Sequence, residues 1–438
     1  MLFLQTVMTY NETLTYLYNT LPMFSRIGKA AYKTDLTNTL ALVKAIGNPE
    51  QRFKTIHVAG TNGKGSTSHM LAAILQAAGY KTGLYTSPHI KDFGERIKIN
   101  GEQIDQQFII DFVERTKELV NDVAPSFFEL TVAMAFEYFA NEKVDIAIIE
   151  CGLGGRLDST NIINPLLSVI TNIGYDHMDI LGNTLGEIAA EKAGIIKPKI
   201  PVVIGEYNSE TLPVFIETAQ KHDAELILAS DVYNVTDTTI LPHGLQFTIT
   251  KSATTTLQKV ITDLNGLYQA KNICAVLAAV DALKKQGFKI TNAAVQQGLG
   301  AVKQTTGLTG RWQVLQQKPL VVCDVAHNSE GVAQILIQLN ISYPNKPWHF
   351  IMGFVKDKEL DKVLKLLPTN ATYYFTNAQI PRALPKELLQ EEAAKYFLKG
   401  HCFTDVQAAL TQAKNNAGKE DVIVIFGSFF VVAEVQGI

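Results

Sequence analysis

Residues 60–66, with the sequence GTNGKGS, combine small side chains with a single lysine directly after an apolar stretch. Small residues would let consecutive backbone N–H groups turn toward a phosphate, and a helix that begins near Lys64 would add its dipole. Lys64 could then reach the outer phosphates of a nucleotide. Only two residues separate Gly60 from Gly63, whereas a Walker A motif has four at this position. The segment predicts a phosphate-binding loop; a glycine-rich turn without a ligand is the alternative.

Three further polar residues follow apolar stretches and could hold a hard cation. Ser87 offers a hydroxyl, Glu150 a strand-terminal carboxylate, and His177 an imidazole, which is an uncommon ligand for Mg²⁺. Ligands of open α/β sheets gather beyond the carboxyl ends of the strands, so we expect all three residues at one edge of a sheet. Each has a simpler alternative: a Ser-Pro turn, a structural glycine turn after Glu150, and a core or capping histidine.

Polar residues also follow other predicted strands. The glycine-rich segment 150–161 (ECGLGGRLDSTN) carries Asp158 and would let the backbone pass close to a ligand. Segment 322–328 (VCDVAHN) ends a strand with three polar side chains, and Arg311 precedes it in a position from which it could reach across a cleft. These patterns predict one site shared by both halves of the chain. Spacing alone marks Lys192 as a salt-bridged surface lysine of a helix.

Composition excludes several classes of protein. The 438 residues are 47% hydrophobic, which is too apolar for a disordered chain. The net charge of -3 argues against a nucleic-acid partner, and no apolar run approaches the ~18 residues that span a bilayer. The four cysteines form no C-x-x-C pair, so neither a zinc site nor a disulfide framework is expected. Residues 1–7 are either part of the native start or additions before a start at Met8; we expect no signal peptide and a cytoplasmic protein.

Short apolar runs alternate with helical patterns, which predicts an α/β fold with mostly parallel sheets. The predicted strands are 53–59, 82–86, 144–149, 166–171 and 201–204, and then 319–325, 348–354, 371–376 and 421–426. The predicted helices lie near 64–78, 105–121, 127–141, 184–196, 210–222, 266–286 and 291–302. The Thr- and Val-rich stretch 225–262 predicts a smaller antiparallel patch. We expect an N-terminal domain at 1–302, a linker at 303–311 and a C-terminal domain at 312–438.

The motifs together resemble those of a known family. GTNGKGS, YTSPH, ECGLGGRLDSTN, DHMDILG, EKAGIIK, DVAHN and the terminal GSFFVVAEV occur in the order found in folylpolyglutamate synthase and dihydrofolate synthase, the folate branch of the Mur ligase superfamily. The resemblance spans roughly residues 11–435. It implies a P-loop ATPase domain, a Rossmann-like C-terminal domain and an active site in the cleft between them.

The resemblance also implies roles for individual residues. ATP is expected to contact Thr61, Asn62, Gly63, Lys64, Gly65, Ser66, Asn272, Arg311 and Asp324. Two Mg²⁺ sites are expected from Ser87, Glu150, His177 and Lys192, the last being the lysine that the family carbamylates. The pterin site is expected at Ser126, Phe127, Phe128 and Leu157, and around Lys33, Thr34 and Asp35. Lys64, Lys192, His177, Asp158 and His327 are the expected catalytic residues, with His327 near the glutamate or the ATP.

The implied reaction joins L-glutamate to dihydropteroate, to a reduced folate, or to both, through an acyl phosphate made from ATP. A peptidoglycan ligase of the Mur type and a nucleotide-dependent regulatory switch are the alternatives. We expect a monomer with small-molecule substrates. The sequence departs from the family pattern where Val325 replaces a glycine, Ser329 replaces a proline, and Thr309 replaces the proline of Pro-Gly-Arg.

Overall fold

The computed structural model describes residues 8–252, 256–356 and 360–438. Residues 1–7, for which two interpretations are given above, lie outside this range. In the part of the chain that is described, the strands form three sheets, two of them mostly parallel. Within the same residues, no helix has the length and apolar character of a membrane span.

The largest sheet has eight strands and forms the centre of the N-terminal domain. They are β1 (Lys54–Ala59), β2 (Thr82–Tyr85), β3 (Ile97–Ile99), β4 (Glu102–Gln103), β5 (Ile146–Glu150), β6 (Leu167–Ile170), β7 (Val202–Ile204) and β8 (Leu226–Leu228). Their order is β4-β3-β2-β5-β1-β6-β7-β8, and all pairs are parallel except β2–β3 and β3–β4. Strands β5 and β6 are buried along their whole length, which explains their continuous apolar runs.

Helices cover both faces of this sheet. They are α1 (Tyr10–Thr20), α2 (Phe24–Ile27), α3 (Thr37–Ala45), α4 (Lys64–Ala77), α5 (Gln106–Val123), α6 (Phe127–Asn141), α7 (Met178–Leu181), α8 (Leu185–Ala193), α9 (Leu212–Lys221), α10 (Ala229–Val232), α11 (Gln269–Lys285), α12 (Asn292–Gly300) and α13 (Val302–Thr306). Short 3₁₀ helices occupy Gly28–Ala31, Pro49–Gln51, Phe93–Arg96 and Ser159–Ile162. Helices α4 and α11 are buried along most of their length, because α4 packs between the sheet and α11 and α12.

A three-stranded antiparallel sheet lies beside this domain, as predicted, although its extent differs. It consists of β9 (Tyr233–Leu241), β10 (Gly244–Lys251) and β11 (Thr256–Thr262), in the order β11-β10-β9. The predicted patch began at 225, but β8 pairs in parallel with β7 and belongs to the large sheet. Strands β3 and β4 were not predicted, because strands this short carry too little periodicity.

The C-terminal domain is a second α/β layer structure. Its strands are β12 (Gln313–Gln317), β13 (Leu320–Cys323), β14 (Trp348–Met352), β15 (Thr372–Phe375), β16 (Gly400–Cys402) and β17 (Val422–Phe426), in the order β12-β13-β17-β14-β15-β16. Only the β12–β13 pair is antiparallel within the described residues. The helices are α14 (Ser329–Ser342), α15 (Leu360–Leu364), α16 (Lys386–Ala394), α17 (Val406–Asn416) and α18 (Phe429–Ala433). The α/β fold class is confirmed.

The first part of the expected linker, 303–311, is helical. Helix α13 covers Val302–Thr306 and packs on the N-terminal domain, where the Thr306 hydroxyl lies 2.7 Å from His69 Nδ1. The Thr306 carbonyl also accepts a hydrogen bond from Lys98 Nζ at 2.8 Å. These contacts fix α13 to the N-terminal domain, so residues 307–312 alone connect it to β12. The division of the chain at 302 and 312 stays a prediction.

Candidate active site

A cavity of ≈ 670 Å³ lies between the two domains, at the carboxyl ends of both parallel sheets. Segments that follow β1, β5 and β6 form one wall, and segments that follow β13 and β17 form the other. Parallel strands bring their carboxyl ends to one edge, which is why residues far apart in the chain meet here. Every site residue expected from the sequence borders this cavity except two, Thr34 and Asp35.

The phosphate loop, residues 60–66, joins β1 to α4 as predicted. Its conformation requires glycine at two positions: a Cβ at Gly60 would lie 1.8 Å from the Thr171 hydroxyl, and Gly63 has φ +84°. The backbone N–H groups of Thr61 and Asn62 donate to the carbonyl and side-chain oxygens of Asn172, both at 2.9 Å. These two hydrogen bonds fix the loop to the segment that follows β6.

Two lysines converge on one carbonyl of this loop. Lys64 Nζ donates to the Gly60 and Thr61 carbonyls at 2.9 and 3.2 Å, and Lys192 Nζ donates to the same Gly60 carbonyl at 3.0 Å. Lys192 is only 3% exposed, which contradicts its interpretation from spacing as a surface lysine. Burial, followed by the nearby charge of Lys64, lowers the pKa of Lys192 to about 7. A substantial part of Lys192 is therefore a neutral amine at neutral pH.

Glu150 provides a buried carboxylate at the end of β5. It is 4% exposed, and burial raises its pKa to about 7 against the opposing charges of Lys64 and Arg311. One of its oxygens accepts a weak hydrogen bond from the Ser87 backbone N–H at 3.3 Å. A buried carboxylate with so little hydrogen bonding has capacity for a cation.

The expected metal ligands fit a magnesium ion that is carried by a nucleotide. Ser87, Glu150, His177 and Lys192 all border the cavity, but the described residues hold no group of three His, Cys, Asp or Glu side chains with metal-site geometry. Mg²⁺ is usually bound through one or two carboxylates together with phosphates and water. A single strand-terminal carboxylate beside a phosphate loop matches that requirement. The His177 ring contacts Phe24 edge-on, with centroids 5.6 Å apart.

Asp158 is fully engaged by its own loop. Its Oδ2 accepts from the Leu153 N–H at 2.9 Å, and its Oδ1 accepts from the Thr160 N–H at 3.0 Å and from the Thr160 hydroxyl at 2.5 Å. The Thr160 hydroxyl in turn lies 2.8 Å from Nε2 of the buried His57. The carboxylate thus shapes the glycine-rich loop after β5. The catalytic role that the resemblance implied for Asp158 stays a prediction.

Other residues expected at the nucleotide lie against the phosphate loop. A Cβ at Gly63 would meet the Asn272 side-chain oxygen at 2.3 Å, and Ser66 Oγ accepts from Gln269 Nε2 at 3.1 Å. Arg311 Nη2 lies 3.2 Å from the position of a Cβ at Gly65. These contacts collect the polar groups of α4, α11 and the connecting segment around one end of the cavity.

Asp324 and His327 connect the two domains. Asp324 Oδ2 accepts from the Tyr268 hydroxyl and from the Trp312 N–H, both at 2.7 Å. His327 Nε2 lies 3.1 Å from Asp176 Oδ2. Neither Tyr268 nor Asp176 was expected at the site from the sequence; only the position of Asp176 beside His177, beyond a strand end, could have indicated one of them. The Asp324–Tyr268 and His327–Asp176 contacts hold the C-terminal domain over the phosphate loop.

The aromatic end of the cavity contains most of the residues expected at the pterin. Phe127, Phe128, Leu157 and Lys33 border it, together with Ser126, whose hydroxyl caps α6 by accepting from the Glu129 N–H. Thr34 and Asp35 are exposed and do not border the cavity, so their expected place at the pterin stays a prediction. Asp35 instead accepts from the Thr37 N–H at 2.8 Å, because this turn starts α3.

Two protein-family models match this chain. Residues 58–280 match the Mur ligase middle domain, and residues 310–429 match the glutamate ligase domain of Mur ligases. A dihydrofolate synthase/folylpolyglutamate synthase from Bacillus subtilis is 36% identical over 93% of this chain and 95% of its own length. A folylpolyglutamate synthase from Lacticaseibacillus casei is 32% identical over 98% of both chains.

Solved structures agree with this result. The E. coli FolC structure in complex with DHPP and ADP superposes with a TM-score of 0.83 at 28% identity, covering 99% of this chain and 98% of that one. The Mycobacterium tuberculosis folylpolyglutamate synthase complexed with ADP and AMPPCP gives a TM-score of 0.84 at 29% identity, covering 97% of both chains. The chain therefore belongs to the folylpolyglutamate synthase/dihydrofolate synthase family of ATP-dependent Mur-type ligases.

Proposed function

We propose that this protein joins L-glutamate to dihydropteroate, to the γ-carboxyl group of a reduced folate, or to both, and converts ATP to ADP and phosphate. The observation that carries the proposal is the composition of the interdomain cavity. A phosphate loop, a buried carboxylate and two lysines border it together with the rings of Phe127 and Phe128. A long acceptor with a flat ring at one end and a carboxyl group at the other matches this layout. The relatives support it, since FolC is described with ADP and DHPP.

The chemistry requires activation of an inert acid. A carboxylate does not react with an amine in water, because its carbon is electron-rich and oxide is a poor leaving group. Transfer of the γ-phosphoryl group to the acceptor carboxylate forms an acyl phosphate, and the neutral amine of glutamate then attacks the acyl carbon and expels phosphate. The chain contributes positioning and charge: Lys64 would exchange its loop carbonyls for phosphate oxygens, and Arg311 Nη2 lies 3.2 Å from the position of a Cβ at Gly65.

The metal requirement belongs to the same proposal. Glu150, Ser87 and His177 would hold Mg²⁺, with a second ion near Lys192. Bound there, magnesium would neutralise charge on the phosphates during transfer. The interdomain pairs of Asp324 and His327 would help to exclude water, which otherwise hydrolyses an acyl phosphate. A direct role for His327 at the glutamate remains part of the proposal.

Carbamylation of Lys192 is also proposed. Its buried amine is partly neutral, so the nitrogen lone pair can form an N–C bond with CO₂, and the displaced proton leaves to solvent. The product is a carboxylate-like anion beside the Gly60 carbonyl. Lys192→Ala should be inactive and regain activity with added acetate, whereas Lys192→Arg should gain nothing from acetate. Full activity of Lys192→Ala without acetate would contradict this role.

The activity is tested with ATP, labelled glutamate and each acceptor supplied separately, with the mass of the product determined. We expect ADP release only when glutamate and a pterin-containing acceptor are both present. Lys64→Ala should lower kcat/KM by about 100-fold to 1,000-fold. Lys285→Ala, at an exposed lysine paired with Glu225, is the matched control and should retain activity. ADP release without an acceptor, or a fully active Lys64→Ala, would contradict the proposal.

A further inference from the structure

Arg96 is a buried cation that forms no ion pair with any described residue. It ends the 3₁₀ helix Phe93–Arg96, borders the cavity and is 7% exposed. Among the described residues, no carboxylate lies within ion-pair distance of its guanidinium. The neighbouring Glu95 carboxylate is used by the backbone N–H groups of Ile90, Lys91 and Asp92. Burying an unpaired charge is costly, so such a group is expected to have a partner that binds from the cavity.

The orientation of the guanidinium is fixed from one side. Arg96 Nε donates to His89 Nδ1 at 2.7 Å, and the guanidinium carbon lies 5.2 Å from the centroid of the Phe127 ring. Because a guanidinium N–H can only donate, His89 Nδ1 is the acceptor of this bond. A guanidinium has five N–H donors, and the Tyr85 oxygen, the other acceptor beside it, can take at most two. At least two donors are left for a ligand.

These donors belong to the aromatic end of the cavity. Phe127 lies against Arg96, and the Tyr85 ring packs on Phe128 with centroids 6.1 Å apart. If the acceptor carboxyl group is phosphorylated beside Lys64, as the proposed function requires, its ring system occupies another part of the cavity, and the Phe127 ring beside Arg96 offers an apolar surface for it.

We propose that Arg96 binds the O4/N5 edge of the acceptor's pterin ring through two parallel N–H bonds. O4 and N5 of a 2-amino-4-oxopteridine are adjacent in-plane acceptors, in the same relation as O6 and N7 of guanine, which arginine binds bidentately. In a 7,8-dihydropterin N5 is an imine nitrogen with an in-plane lone pair. In a tetrahydropterin N5 carries a hydrogen, so one of the two bonds is lost. Arg96 is therefore a specificity residue that favours dihydropterin acceptors.

The inference depends on the proposed function, and its test separates the two. KM for dihydropteroate and the inhibition constant of p-aminobenzoate, which has the acid but no pterin, are measured for the wild type, Arg96→Gln and Arg96→Lys. Both variants should raise KM for dihydropteroate by about 10-fold to 100-fold and leave the p-aminobenzoate constant unchanged. Equal losses for both compounds would show that Arg96 binds the carboxylate and would overturn the proposal. So would an unchanged KM in variants of an enzyme whose wild type ligates glutamate to dihydropteroate.

Two controls address folding. Lys98→Met removes another buried cation, two residues away, which donates to the Thr306 carbonyl and does not border the cavity. It should lower stability without changing KM for dihydropteroate, and ADP affinity should be retained in every folded variant. If Arg96→Gln does not fold, the wild type is tested with the 5-deaza analogue of dihydropteroate, which has a C–H at position 5. We expect about 10-fold weaker binding of that analogue; equal binding would overturn the bidentate contact.

Discussion

Gly65→Ala should change stability and activity in opposite directions. Gly65 is the second residue of α4 and has ordinary helical backbone, so alanine fits its conformation. Replacing glycine by alanine within a helix stabilises it by ~0.5–1 kcal/mol. The added methyl carbon would lie 3.2 Å from Arg311 Nη2 and 3.9 Å from both Glu150 carboxylate oxygens. It would therefore occupy the space through which the phosphate loop approaches its ligand.

The expected size of the activity change follows from this geometry. Arg311 contributes the flexible end of its side chain, so the folded protein should accommodate the methyl group by a small shift. Bound phosphates cannot shift as freely, and a displacement of ~1 Å at reacting groups costs about 100-fold in rate. We expect kcat/KM for ATP to fall by about 100-fold, which corresponds to ~2.7 kcal/mol of transition-state stabilisation.

Urea unfolding and steady-state ADP release measure the two effects separately. Gly300→Ala is the matched control, because Gly300 ends helix α12 and a Cβ there would meet no atom within 4 Å. That variant should gain a similar stability and keep wild-type kinetics. A folded Gly65→Ala protein with kcat/KM within about twofold of the wild type would refute the argument.

Three smaller perturbations follow from other contacts. Tyr268→Phe removes a hydrogen bond to the buried Asp324 carboxylate and should cost ~1.5–3 kcal/mol in urea unfolding; additivity with Asp324→Asn in a double-mutant cycle would contradict a direct contact. Burial lowers the pKa of His57 to about 3, so the free energy of unfolding decreases as pH falls below ~6.5, the pKa of the unfolded state. His57→Gln should remove ~2 kcal/mol of the decrease in unfolding free energy between pH 7 and pH 5. An unchanged pH profile of stability would refute this. Arg156→Ala should cost less than ~1 kcal/mol despite its bond to Glu191, because Arg156 is 56% exposed; a larger loss by thermal unfolding would contradict a surface pair.

Sequence patterns predicted the large parallel elements well. Strands β1, β5 and β6 are covered on both faces, so they are continuous apolar runs that stand out against the helical patterns around them. The short strands β3 and β4 were not predicted, because strands of two or three residues at a sheet edge need no recognisable apolar pattern. Asp35, expected at the pterin, accepts a local turn bond from the Thr37 N–H and does not border the cavity, so its expected role stays a prediction.

The sequence by itself determined the local chemistry: a lysine in a glycine-rich loop at a helix start, and polar residues directly after buried strands. The tertiary structure alone decided the burial, the contacts and the pKa of those groups. Lys192 changes from a surface lysine to a buried amine because a contact across 132 positions brings it to Gly60 and near Lys64. Arg96 becomes a candidate ligand-binding group only because the fold buries it without a carboxylate. Burial and the proximity of charges depend on residues that are distant in the chain, so spacing along the sequence cannot reveal them.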